Sequence, residues 1–163
     1  MPKKIAKKAT AKKSVKKTAK KTAKTTKSPV VSEVKFQPHK SVVTKNDPVR
    51  WNRIEDEIIV DAHDKEELIS GWFYSISDYI DNNEVRCRCR KKRSMSPLEV
   101  GEEVNIIEIA PFGDCESEMF VVVSWSDRKL AVPLEQLEPI GGDPKAIEVI
   151  EDWLYWCLMG YEF

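Results

Sequence analysis

The chain has 163 residues, 27 Lys/Arg against 27 Asp/Glu, a formal net charge of zero and 41% hydrophobic residues. That length suits one domain with a tail, and no window approaches the roughly 18 consecutive apolar residues of a membrane span. No secretory apolar segment opens the chain, and four cysteines without framework spacing favour reduced thiols in the cytoplasm.

The zero is an average of two opposites. Residues 1–29 hold twelve lysines and no acid, whereas residues 51–163 hold 11 Lys/Arg and 25 Asp/Glu, a net −14. The first stretch, MPKKIAKKATAKKSVKKTAKKTAKTTKSP, repeats Lys-Lys every four or five residues between Ala, Thr, Ser and Val. So few large apolar groups cannot offset the entropy of ordering, and a disordered basic tail is expected over 1–29. Its composition resembles the tails of linker histones and of bacterial histone-like proteins. Lys3, Lys4, Lys7, Lys8, Lys12, Lys13, Lys16, Lys17, Lys20 and Lys21 suit displacement of counterions from a phosphate backbone. Non-specific DNA or RNA is thus a candidate partner and the nucleoid a candidate location. Folding back on the acidic body is the competing reading of the same charge.

Residues 30–50, polar and containing Pro38 and Pro48, read as a linker with a short extended stretch at VVSEVKF. The body, 51–163, starts near Trp51. IEDEIIVDA fits a strand or a helical turn. Between Asp64 and Asn83, apolar residues at 68, 69, 72, 73, 76 and 80 have helical spacing, with Asp64 as N-cap. EVRCRCR then alternates, with Val85, Cys87 and Cys89 on one face and Arg86, Arg88 and Arg90 on the other, as a half-buried strand does. SPLEVGEEVNIIEIA, MFVVVSW and RKLAVPLEQLEPI are three further strands, with a tight turn at Ser126-Asp127 and a strand end or edge at Pro133. Asp143 and Pro144 cap and open a last, deeply packed helix through KAIEVIEDWLYWCLMG. The fold expected is α+β: a small SH3-like β-barrel flanked by an N-terminal and a C-terminal helix.

His39 and His63 lie far apart, and no nucleophile motif, Gly-rich phosphate loop or HExxH is present, which argues against an enzyme. Cys87 and Cys89 have only one residue between them, closer than zinc ligands usually stand, and read as core thiols. Arg86, Arg88, Arg90, Lys91, Lys92 and Arg93 form the body's one positive cluster, either a nucleic-acid surface or a solvated edge.

The remaining feature is GDCESEMF, where Asp114, Glu116 and Glu118 precede an apolar strand. D-C-E-S-E starts like an EF-hand, but Met119 stands where its glycine belongs and Trp125 where its bidentate Glu belongs. An extended strand would spread the three carboxylates too far to share an ion, so convergence needs a curved loop, for which Pro111 and Gly113 are suitably placed. Such a site would need waters or neighbouring acids such as Glu102, Glu103, Asp127 and Glu135. The residues alone leave a cation site and a merely wet face both open.

EIIVDAHDKEELISGWFYSISDYI, then SPLEVGEEVNIIEIAPFGDCESEMFVVVSWSDRKLAVPLEQLEPI, then IEDWLYW resembles the cyanobacterial-type small acidic calcium-binding protein family over residues 53–163. The resemblance implies a helix, a compact barrel-like sheet and a C-terminal helix, and Ca2+ held by clustered carboxylates without an EF-hand. Asp114, Glu116 and Glu118 are the matching positions, with Glu102, Glu103 and Glu135 at the same end of the barrel. A weak, non-enzymatic calcium buffer or sensor is the reading that follows. The alternative is a nucleic-acid-associated protein whose barrel binds another protein.

Overall fold

Asp64 sets the register of the first long helix. Its carboxylate accepts the amide of Glu67 at 2.9 Å while Glu67 accepts the amide of His63 at 2.7 Å, a reciprocal cap. In the computed structural model, which describes residues 39–163, helix α2 runs Lys65–Ile80 from this cap. It buries Ile69, Trp72, Ile76 and Ile80 along one stripe. The expected basic tail over 1–29 and the first part of the linker lie outside the described residues.

Ahead of α2, helix α1 spans Pro48–Arg53, capped by Asp47, and widens into a π-turn over Ile54–Ile58. The first five residues of the ambiguous IEDEIIVDA are therefore helical and the rest turn, and the wide turn buries Ile54 and Ile58 while Glu55, Asp56 and Glu57 stay exposed. α2 crosses this turn closely at Gly71, where a Cβ would lie 2.3 Å from the carbonyl oxygen of Ile58.

The strands are β1 (Val85–Cys89), β2 (Glu103–Ile109), β3 (Phe120–Trp125), β4 (Arg128–Pro133) and β5 (Leu137–Gly142). All neighbours are antiparallel, in the order β4-β3-β2-β1-β5. β1 buries Val85, Cys87 and Cys89, as its alternation requires. Ser126 and Asp127, both at positive φ, make the two-residue turn between β3 and β4, which pairs Trp125 with Arg128.

RKLAVPLEQLEPI is two strands rather than one. Pro133 ends β4, and a 3-10 turn over Leu134–Gln136 redirects the chain so that β5 pairs with β1. β4 and β5 are then opposite edges, and the SH3-like barrel expected from the sequence is not closed. Bulges between Arg86 and Cys87 and between Ile106 and Glu108 interrupt the ladders.

Asp143 caps α3 (Pro144–Met159) by accepting the amides of Lys145 and Ala146 at 2.9 and 3.1 Å. α3 packs on β5 and α2, and α2 on β2. Trp72 is fully buried, edge-on to Trp153 at 5.1 Å and tilted to Trp156 at 5.6 Å. Among the described residues, no helix is long and apolar enough to cross a membrane.

Candidate metal centre

The acidic segment joins β2 to β3, and its two ends are fixed before its carboxylates are. The amide of Ala110 donates to the carbonyl of Phe120 at 2.9 Å, closing the mouth of the loop. Pro111 leads into a 3-10 turn, Phe112–Asp114, so the segment curves as a shared ion would require. Gly113 has open space around it and no positive φ, so the curve does not depend on its missing side chain. Cys115 and Met119 are fully buried, and Phe120 donates its amide to the Cys115 sulfur at 3.5 Å. The apolar anchors hold the loop down, while Asp114 and Glu116 are exposed.

Glu118 is different. It is half-buried, and Nη2 of Arg93 donates to both its oxygens, at 2.6 and 2.9 Å. Nη1 of the same guanidinium reaches Oε2 of Glu135 at 3.4 Å. Glu135 sits on the 3-10 turn between β4 and β5, so Arg93 ties that turn to the acidic loop. Lys91 pairs with the Glu135 carboxylate, and Nε of Arg90 donates to its backbone carbonyl at 2.8 Å. Arg93, Ser117, Glu118 and Glu135 line a cavity of about 440 Å³ with Cys157, Gly160, Tyr161 and Glu162 from the end of α3 and beyond.

The other two acids singled out in the sequence have different partners. Glu102 accepts the indole N–H of Trp125 at 2.7 Å and the amide of Glu99 at 3.0 Å. Glu103 accepts from Arg86 at 2.9 Å and Arg88 at 3.2 Å. The hydrogen bonds from Arg88, then Arg86, hold its carboxyl below the usual carboxylate range. Among the described residues, no three His, Cys, Asp or Glu side chains stand together closely enough to hold a metal ion. The donors are hard oxygens of the kind calcium takes, but they are not assembled.

The basic cluster of the body is also accounted for. Arg86 and Arg88 pair with Glu103, Arg90 and Lys91 with Glu135, Lys92 with Glu99, and Arg93 with Glu118. It forms a belt of internal counter-ions, and a nucleic-acid reading is left to residues 1–29, outside the described residues. Burial holds the thiols protonated: it pushes Cys87 and Cys115 up, and Cys157 up to about 12. Among the described residues the four cysteines form no cluster that could hold zinc.

Sequence reasoning finds the acids of the loop and misses their cation. Arg93 lies 25 residues before Glu118, and no periodicity links positions that far apart. The contribution of Glu162 to the cavity is equally silent in the sequence.

Residues 52–157 match the model of the CcbP family, described as calcium binding. The crystal structure of Anabaena CcbP is similar at 36% identity and a TM-score of 0.63, covering 76% of this chain and 100% of that one. A calcium-binding protein in its calcium-binding form is similar at 36% identity and a TM-score of 0.59, covering 72% of this chain and 96% of that one. Comparison with curated proteins finds no match.

Proposed function

Because the chain belongs to the CcbP family of calcium-binding proteins, we propose that it binds calcium without catalysing a reaction, as a weak buffer or sensor. The ligands we assign are Asp114, Glu116 and Glu118 of the loop, with Glu135 of the neighbouring 3-10 turn. One observation carries the assignment. The loop is pinned at Cys115 and Met119, leaves Asp114 and Glu116 in solvent, and puts Glu118 on the same cavity wall as Glu135.

Calcium takes six to eight oxygens, so these side chains leave part of the shell to water and backbone carbonyls. The donors must gather as the ion arrives, which lowers affinity. Glu102 and Glu103 stand outside the set, since neither lines the cavity that Glu118 and Glu135 share. The proposal extends to a partly open, SH3-like barrel, supported by the strand order and the 3-10 turn between β4 and β5. It also extends to a cytoplasmic setting, supported by four free cysteines.

Calorimetry on the full chain tests the site. Calcium should give saturable heat that Asp114→Ala, Glu116→Ala, Glu118→Ala together abolish. Equal heat from that triple variant would sink the assignment.

A further inference from the structure

Glu118 is the one loop acid that the fold neutralises, and the way it does so has a consequence for any ion arriving there. The guanidinium of Arg93 engages both oxygens of Glu118, at 2.6 and 2.9 Å, and also faces Glu135 at 3.4 Å. A calcium ion needs those same oxygens at about 2.3–2.6 Å. Guanidinium and calcium cannot both sit on one carboxylate edge: the lone pairs are shared and the two cations repel.

We infer that Arg93 is a built-in competitor of calcium, occupying the Glu118–Glu135 position in the ion-free protein and leaving it when the ion binds. The inference rests on the calcium site proposed above.

Two further features support exchange over a permanent brace. The pair is not deeply buried, with Arg93 at 29% and Glu118 at 23% side-chain exposure, so water can solvate each partner when they separate. The released guanidinium also has somewhere to go. Glu162 lines the same cavity and is itself exposed, so another carboxylate lies within that cavity. Lys91 and Arg90 stay on Glu135 in this scheme, which keeps that acid partly neutralised and the overall affinity low.

Arg93 therefore does two opposed things. It stabilises the loop without calcium, by relieving repulsion among three acids within five residues. It also weakens calcium binding by the free energy of its own bonds to Glu118.

The test uses the full chain as wild type, Arg93→Gln, Arg93→Lys and Glu118→Gln. Each is titrated with calcium chloride by calorimetry and melted with and without calcium. Arg93→Gln should bind calcium about fivefold tighter, the size of one partly exposed charge pair. It should melt lower than wild type without calcium, and the gap should close when calcium is added. Arg93→Lys keeps the charge but not the fork, and should fall between the two. In wild type, the Arg93 Nε–H resonance should shift as calcium is added.

Unchanged or weaker binding by Arg93→Gln, while Glu118→Gln still weakens wild-type binding, overturns the competitor role and leaves the site standing. Calcium binding indifferent to Glu118→Gln removes the site and the competitor together.

Discussion

Two of the places where the molecule sets arginine against carboxylate differ mainly in burial. Between α1 and α3, Arg50 and Arg53 converge on Asp152 at 2.6 and 2.5 Å, and Arg50 also reaches Glu151 at 3.0 Å. Asp152 has only 2% of its side chain exposed. At the acidic loop, Arg93 meets Glu118 and Glu135 with between a fifth and a third of each side chain exposed. The hydrogen bonds are of similar length, so length alone does not tell a brace from an exchangeable pair. Burial does, because water cannot replace a lost partner at Asp152 but can at Glu118.

The comparison breaks most visibly if its buried half is cut. Asp152→Ala leaves two half-buried guanidiniums short of an acceptor, and should cost roughly 3–5 kcal/mol in urea unfolding. Calcium affinity of the molecules that remain folded should not change, since neither Asp152 nor its arginine partners line the cavity at Glu118.

Acid should find the same buried end first. Burial pushes the Glu151 carboxyl up most strongly, but hydrogen bonds from His39, Ser41 and Arg50 and the charge of Arg50 together outweigh it, and its pKa is lowered. A carboxylate depressed on folding contributes fully above its unfolded pKa of about 4.3 and loses that contribution as pH falls through its lower folded value. The urea midpoint should be flat on the acid side until about pH 4.3 and fall below it. His39→Gln should make that fall shallower.

At the exposed end the expected changes in stability are small. The triple alanine variant at Asp114, Glu116 and Glu118 should move unfolding by no more than about 1 kcal/mol while calcium binding disappears. Smallest of all is Glu103→Gln. Its partners Arg86 and Arg88 are themselves well exposed, so neither the unfolding midpoint nor calcium affinity should shift.

Most of the frame is legible in the sequence. Asp64, the stripe from Leu68 to Ile80, the alternation of Val85, Cys87 and Cys89, and the Asp143-Pro144 start of α3 are local signals, and each is where the chain places it. The Ser126-Asp127 turn is legible for the same reason. β5 is hidden because RKLAVPLEQLEPI reads as one strand, and only the 3-10 turn at Leu134–Gln136 divides it. The open edges of the sheet are hidden with it, since they depend on which strand β5 pairs with. His39 belongs to a linker in the sequence, yet its ring meets Glu151 at 2.8 Å, 112 residues away. The ionic contacts of both ends join positions 25 to 112 residues apart, beyond any pattern of period two or 3.6. The acids gathering at GDCESEMF can be seen in the sequence, but their guanidinium cannot.

Calcium, on this reading, gathers Asp114, Glu116, Glu118 and Glu135 around itself. A calcium titration of the full chain followed by NMR tests it most directly, with carboxylate carbons of Asp and Glu observed residue by residue. Those four should shift together along one saturation curve, with Asp152 and Glu151 unmoved. Saturable shifts confined to acids elsewhere, or none at all at Glu118 and Glu135, would contradict it.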